Sequence, residues 1–224
     1  MNITLLLRAG VLASVLCCQH VHALLITEIH ADPAPAIAGD ANGDGERHSY
    51  DDEFIELFNH SATAIDLSGW QLHDGNMLRH LFPQHTMLAA QQALVVFGGG
   101  LPSGSFGQSI IQTASSGSLR LNNSGDTIKL FDSDNLLQVI ASYGNEGGND
   151  QSLTRLINDL NAPLSPHLSF SGMAYSPGLN ADGTPFLVSS SQQTASPIPE
   201  PSTLLMFASL LALLAAYRQA QPAN

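Results

Sequence analysis

An all-β sandwich is the fold class this chain predicts, and three observations predict it. Short apolar, β-branched runs recur along the middle of the sequence, each closed by Gly, Pro, Asn or Asp. Seven or eight of them follow one another at a spacing of roughly 8–12 residues, the cadence of packed antiparallel sheets. Helical periodicity is thin between the two ends; residues 151–160 have room for one or two turns at most. No repeat of fixed period is visible, which sets solenoids and propellers aside.

LLITEI, at 24–29, opens the set with aliphatic and β-branched side chains. In EFIELF, at 53–58, alternation puts Ile55 and Leu57 on one face and Phe54, Glu56 and Phe58 on the other. AIDLSGWQLHD, at 64–74, bends at Ser68-Gly69 before Trp70 and Leu72. LRHLF, at 78–82, follows the turn Asp74-Gly75-Asn76. ALVVFG, at 93–98, is an unbroken apolar run suited to an inner strand. SLRLNNSG at 118–125, TIKLFD at 127–132 and LLQVIASYG at 136–144 complete the series. The last two are joined as a hairpin through Asp132-Ser133-Asp134-Asn135.

The two ends read as sorting segments rather than as parts of the domain. Residues 1–23 carry Arg8, an apolar stretch through Leu16 and a small-residue close at Ala23, the order of a secretory signal helix. Both cysteines, Cys17 and Cys18, lie inside it, so its removal leaves a chain with no thiol and no disulfide. Cysteine nucleophiles and cysteine-ligated zinc are thereby excluded. Leu16 stands where a lipoprotein would need a small residue before Cys17. At the other end a Ser/Gln/Pro linker, 188–198, meets Pro199-Glu200-Pro201, an apolar run from Thr203 to Tyr217, and Arg218. As a helix rising ~1.5 Å per residue that run covers about 22 Å, short of a ~30 Å hydrocarbon core. Residues 199–224 resemble the PEP-CTERM sorting signal, with Pro199, Glu200, Pro201 and Arg218 as its marks. The resemblance implies an exosortase-type processing enzyme as partner and transient or anchored membrane contact. Those signals usually end in several basic residues, whereas Arg218 stands alone here.

LLITEI, DEFIELFN, IDLSGWQLHDG, then LAAQQALVVFG, DTIKLFD, SLTR at 152–155 and SPGLN at 176–180 stand in an order that resembles the lamin tail domain. That resemblance implies an immunoglobulin-like β-sandwich over residues 24–187, with Trp70 as a core aromatic and Gly69 as the tight bend before it. Nuclear members of the family bind chromatin and scaffold partners. The present chain, with 19 Asp and Glu against 7 Lys and Arg and a net charge of −12, repels nucleic-acid phosphates. Calcium, basic partners or a hydrated matrix suit such a surface better. Lys129 is the only lysine, which argues against lysine chemistry.

DANGDG, at 40–45, repeats the start of a calcium loop: Asp40, Asn42 and Asp44 alternate before the Gly that sharpens the turn. Position seven is Glu46, which offers a backbone carbonyl, position nine is His48, and position twelve is Asp51, with Asp52 or Glu53 as substitutes. The set Asp40, Asn42, Asp44, Glu46, His48 and Asp51 is the expected Ca2+ site. An EF-hand is not expected, since Asp32-Pro33-Ala34-Pro35 breaks any helix upstream and EFIELF follows downstream. The loop belongs between the first two strands; its bland alternative is a soluble stretch of turn formers.

Other chemistry is weaker. Glu28 and Glu56 sit on strands that can be neighbours, which allows a catalytic carboxylate pair, but glutamates paired to Arg79, Arg120 or backbone are the simpler expectation. His73, His80 and His85 lack close ligand spacing on one element, and His73 is expected at the surface. GGGLPSGSFG, at 98–107, has no Lys-Ser/Thr of a phosphate loop and reads as a mobile connection. The expected protein is a secreted, non-enzymatic binding or structural module, calcium-stabilised, sorted to the cell surface or an extracellular polysaccharide matrix. A polysaccharide or surface protein is its expected partner. Two alternatives stay open: a calcium-dependent hydrolase of nuclease or phosphatase type using Arg47 and His48, and a calcium-independent coat protein.

Overall fold

The computed structural model describes residues 24–75, 77–159 and 162–186, and these hold twelve strands and three short 3-10 turns. In chain order the strands are β1 (Leu24–His30), β2 (Phe54–Asn59), β3 (Ile65–Asp66), β4 (Gln71–Asp74), β5 (Met77–Leu81) and β6 (Met87–Leu88). There follow β7 (Ala93–Phe97), β8 (Ile110–Thr113), β9 (Asp126–Phe131), β10 (Leu137–Tyr143), β11 (Leu153–Thr154) and β12 (Ser165–Pro166). They form a six-stranded sheet in the order β12-β11-β1-β2-β7-β8, a four-stranded sheet β10-β9-β4-β5, and the small pair β3-β6. Every pairing is antiparallel except β7 with β8. The all-β, immunoglobulin-like sandwich expected from the sequence is the observed fold.

The main core lies between the two larger sheets. Ile26, Ile29, Ile55, Leu57, Leu94 and Val96 come from one, and Leu72, Ile128, Leu130 and Ala141 from the other. Burying each of the branched aliphatic side chains contributes about 1.5–3 kcal/mol. Trp70 packs half-buried against it, and Gly69 before it takes a left-handed φ of 75°.

Strict alternation along β1 would send Glu28 into this core beside Leu24 and Ile26. The register shifts between Ile26 and Glu28 instead, so Ile26 pairs with Leu57 but Glu28 pairs with Glu56 and Ile29 with Ile55. The bulge at Thr27 turns Glu28 to the far face of the sheet and returns Ile29 to the core. Phe54, Glu56 and Phe58 share that far face, as alternation in EFIELF requires.

The far face is not left to solvent. Phe54, Val95 and Phe97 pack with Ala41, and Phe106, Ile111 and Tyr175 lie against them. Phe58 and Ala93 pack with Phe186, their rings 4.7 Å apart in the Phe58–Phe186 pair. Residues 152–186 thus return across the sheet and bury its second side.

Several expectations need correction. SLRLNNSG is no strand: Leu119 and Leu121 are buried, but Arg120 between them has a φ of 53°, which extended backbone does not allow. Residues 151–160 hold β11 and a turn rather than helical turns, because Leu153 and Thr154 pair with Ile29 and Glu28. The strands β6, β8, β11 and β12 were not signalled by their short runs. The signal segment 1–23, the linker 188–198 and the tail 199–224 with its terminal helix lie outside the described residues. Among the described residues no helix is long and apolar enough to cross a membrane.

Leu57→Ala, at a fully buried position between the sheets, is expected to lower stability by about 2–5 kcal/mol in urea denaturation. Leu137→Ala, at a half-exposed position on β10, is expected to stay within about 0.5 kcal/mol of the parent. Equal losses at both sites would contradict the assigned core.

Candidate functional site

The acidic loop connects β1 to β2, as the sequence predicts, and folds around Asn42. Asn42 is fully buried: its N–H donates to Asp52 Oδ1 at 3.0 Å, and its carbonyl accepts from Ser103 N–H at 3.0 Å. Its side-chain Oδ1 accepts from Asp44 N–H at 3.0 Å. Asp44 Oδ1 in turn accepts from Glu46 N–H at 3.0 Å, and its Oδ2 from Leu101 N–H at 3.2 Å. Those amides hold the Asp44 carboxyl below its ordinary range. Gly43 and Gly45, with φ of 70° and 93°, supply the left-handed turns that aim the side chains inward.

Asp40 is the informative residue. Its Oδ2 accepts from Gly45 N–H at 2.9 Å, while its Oδ1 is buried without a hydrogen-bond partner. A buried carboxylate oxygen without a partner is costly and invites a cation. Across the loop Asp52 accepts from His48 N–H at 2.7 Å as well as from Asn42, so both its oxygens face the loop backbone. Burial, reinforced by the negative charge of Asp40, pushes the Asp52 carboxyl up.

Asp51, His48 and Glu46 stand around the rest of the loop. Asp51 Oδ2 stands 3.4 Å from His48 Nδ1, and a side chain at Gly99 would run into the Asp51 carboxyl. His48 Nδ1 accepts from Tyr50 and Asp51 N–H, and Glu46 is exposed. Asp52, one residue beyond the expected position twelve, is therefore the carboxylate that spans the loop. Among the described residues no three His, Cys, Asp or Glu side chains gather closely enough to hold a metal by themselves. Any cation here must draw on amide and carbonyl oxygens too. The Gly-rich segment 98–107, expected to be mobile, is pinned over the loop by Leu101, Ser103 and Gly104 amides.

A second polar cluster lies on the covered face of the large sheet. Glu28 and Glu56 stand opposite each other on β1 and β2, both buried. Neither pairs with Arg79 or Arg120. Glu28 Oε1 accepts from Ser152 Oγ at 2.6 Å and Ser176 N–H at 2.9 Å. Glu56 Oε1 accepts from Thr27 Oγ1 at 2.6 Å, and its Oε2 from Gly178 N–H at 2.7 Å. Burial pushes Glu28 up to about 7 and, with the charge of Glu28 beside it, raises Glu56 well above the carboxylate range. His167 sits behind: its Nδ1 is 2.9 Å from Met173 O, and its Nε2 is 2.8 Å from Ser176 Oγ. Ser176 Oγ is also 2.9 Å from Glu28 Oε2, so one hydroxyl bridges imidazole and carboxyl.

The Ser176–His167 distance is that of a nucleophile and its base. Ser176, His167, Glu28 and Glu56 are all buried, however, and their contacts tie residues 152–178 to the sheet. The cluster is a clasp. Its serines lie in SLTR and SPGLN, segments legible in the sequence; their partnership with glutamates more than a hundred residues away was not.

The fold and these sites meet a match to known proteins. The lamin tail domain family matches residues 19–147, more than half of the chain. The chain belongs to the lamin tail domain family. Its domain is thus of a kind that serves as a structural or binding module. The match ends before Ser152, short of the expected limit at 187, so the segment carrying the clasp lies outside it. The lamin tail domain here closes its outer face with chain beyond the matched stretch. No curated protein matches the chain.

Buried carboxyls make the domain sensitive to alkali. The ordinary value of these glutamates is 4.5, and in the fold Glu28 keeps its proton to about 7 and Glu53, also raised by burial, to about 8. Between those limits the unfolded chain binds fewer protons than the folded one, so stability is lost as pH rises. His30, buried and pushed down to about 3 from 6.5, works oppositely and removes stability below pH 6.5. Raising pH from about 6.5 to about 9 is expected to cost on the order of 2 kcal/mol in urea denaturation. Glu53→Gln should reduce that loss and leave the part carried by Glu28 and Glu56; an unchanged slope would contradict a proton held at Glu53.

Proposed function

We propose that this chain is an exported, non-enzymatic structural and binding module whose acidic loop closes around calcium. The family supports the module. The observation that carries the ion is the buried, partnerless Asp40 Oδ1 in a loop where Gly45, six positions into the motif, already holds the other oxygen. Calcium would draw on Asp40, Asn42 and Asp44, with the Glu46 carbonyl, His48 and Asp51 as the further sequence-derived ligands and Asp52 as the carboxylate facing the loop. It would supply charge neutralisation and order, and no chemical step. Residues 1–23 and 199–224 support export and sorting by an exosortase-type enzyme, with the cell surface or an extracellular matrix as destination.

The hydrolase reading has less support. Of Arg47 and His48, the two residues it would use, His48 accepts the Tyr50 and Asp51 amides at Nδ1, which takes one of its two ring nitrogens out of service as a base.

Calcium at 100 times its dissociation constant is expected to add about 2.7 kcal/mol of stability, read as a rise in melting temperature that chelator reverses. Asp40→Ala with Asp44→Ala should abolish the rise; an equal rise in that variant, or none in the parent, retires the ion and favours a calcium-independent coat. Intact mass of the protein recovered from its producing cells is expected to show loss of residues 1–23 and of the tail after the Pro199-Glu200-Pro201 region. A product still running from Met1 to Asn224 would contradict both sorting signals.

A further inference from the structure

In a chain with 19 acidic and 7 basic residues, a free guanidinium needs a reason. Among the described residues neither Arg47 nor Arg120 makes an ion pair with a carboxylate, whereas Arg79 is bound to Asp74 at 2.9 Å. Both Arg47 and Arg120 line one open cleft of about 390 Å³, between the acidic loop and the segment around Leu121; Arg155, likewise outside any ion pair, is half-buried elsewhere. That size falls in the range of small-ligand sites, roughly 300–1,000 Å³.

The two side chains are held from behind. Arg47 is fixed by the carbonyls of Pro33 and Ala34, which accept from Nη2 and Nε. Arg120 donates from Nε to Ser118 Oγ at 3.2 Å, and its guanidinium carbon lies 5.5 Å from the centre of the Tyr50 ring. Each retains N–H donors that no protein group takes, in the planar array that suits an oxyanion. Ser49 and Tyr50 add hydroxyl groups to the wall, beside the apolar Ala31, Pro33 and Leu121.

Two carboxyls also line the cleft, and protein donors engage both. Asp32 accepts from Asn123 Nδ2 at 2.6 Å and Asp150 N–H at 3.4 Å. Glu53 is buried, with Oε2 accepting from Leu121 N–H at 3.2 Å. Two guanidinium charges thus stand against the one carboxylate of Asp32, and guanidinium N–H and hydroxyl groups are left for a ligand.

We propose that this cleft binds an oxyanion carried on a hydroxylated body, the chemistry of an acidic sugar. It rests on the module reading only in that the ligand is held rather than turned over; it does not need calcium. Arg47 and Arg120 would take the carboxylate, and the Ser49 and Tyr50 hydroxyls would meet the hydroxyls of the sugar.

Titration calorimetry of the full chain with glucuronate, glucose and inorganic phosphate tests this, each run with calcium and with chelator. Glucuronate should bind, with glucose and phosphate weaker by about tenfold or more. Arg120→Gln should weaken glucuronate by a similar factor. Ser49→Asp, at an exposed position that needs no refolding, should do the same by repulsion. Equal binding of glucose, equal binding of phosphate, no heat with any of them, or no effect of either substitution overturns the proposal. No glucuronate heat alongside a normal calcium-induced rise in melting temperature retires this inference alone. Glucuronate binding without any calcium effect retires the ion alone.

Discussion

Two carboxyl groups buried side by side on the face of a sheet set the terms for much of this molecule. Glu28 and Glu56 lie across from each other on β1 and β2 with no cation between them. Charged, they would repel at close range in a medium that solvates neither, so the fold holds them protonated or meets them with donors. Both answers are visible. Burial raises the two carboxyls, and Ser152, Ser176, Gly178 and Thr27 supply hydroxyl and amide partners. Those partners come mostly from residues 152–178, so satisfying the acids is the same act as covering the second face of the sheet. The apolar contact of Phe58 with Phe186 adds area to a join that the glutamates place.

The bulge at Thr27 belongs to the same account. Without it Glu28 would face Leu57 and Leu72 in the main core, where no serine or amide waits. One extra residue moves the acid to the face where its donors are, returns Ile29 to the core, and places the Thr27 hydroxyl on Glu56. A local irregularity thus prevents a buried, unpaired polar group, which in this position would cost more than the ladder contact it disrupts.

The sequence made the strands legible where apolar runs were long and their ends marked. EFIELF and ALVVFG announced β2 and β7, and alternation in EFIELF assigned both faces correctly. It did not announce the bulge, because LLITEI carries no signal that Ile26 and Ile29 share a face. SLRLNNSG resembled a strand by composition; only Arg120 in a left-handed conformation removes it. In the acidic loop DANGDG disclosed the turn and its inward side chains, yet which of Asp51 and Asp52 faces the loop backbone depended on the fold. Their spacing differs by one residue, and the outcome follows from Gly98 and Gly99, whose amides donate to the carbonyls of Glu53 and Asp51 and leave Asp52 turned inward. Arg47 and Arg120 are 73 positions apart, so their shared cleft had no local signature.

Function is best sought where the protein leaves valences unmet. Ser176, His167 and the glutamates have the residue types of a catalytic centre, but their hydrogen bonds hold residues 152–178 to the sheet. At the acidic-loop end the balance differs. Asp40 keeps one carboxylate oxygen without a donor, and a few residues on, Arg47 together with Arg120 keeps guanidinium hydrogens without an acceptor. The two deficits have opposite sign and do not cancel, because Arg47 is turned away to Pro33 and Ala34. A cation on one side of the loop and an anion on the other would each meet what its side lacks.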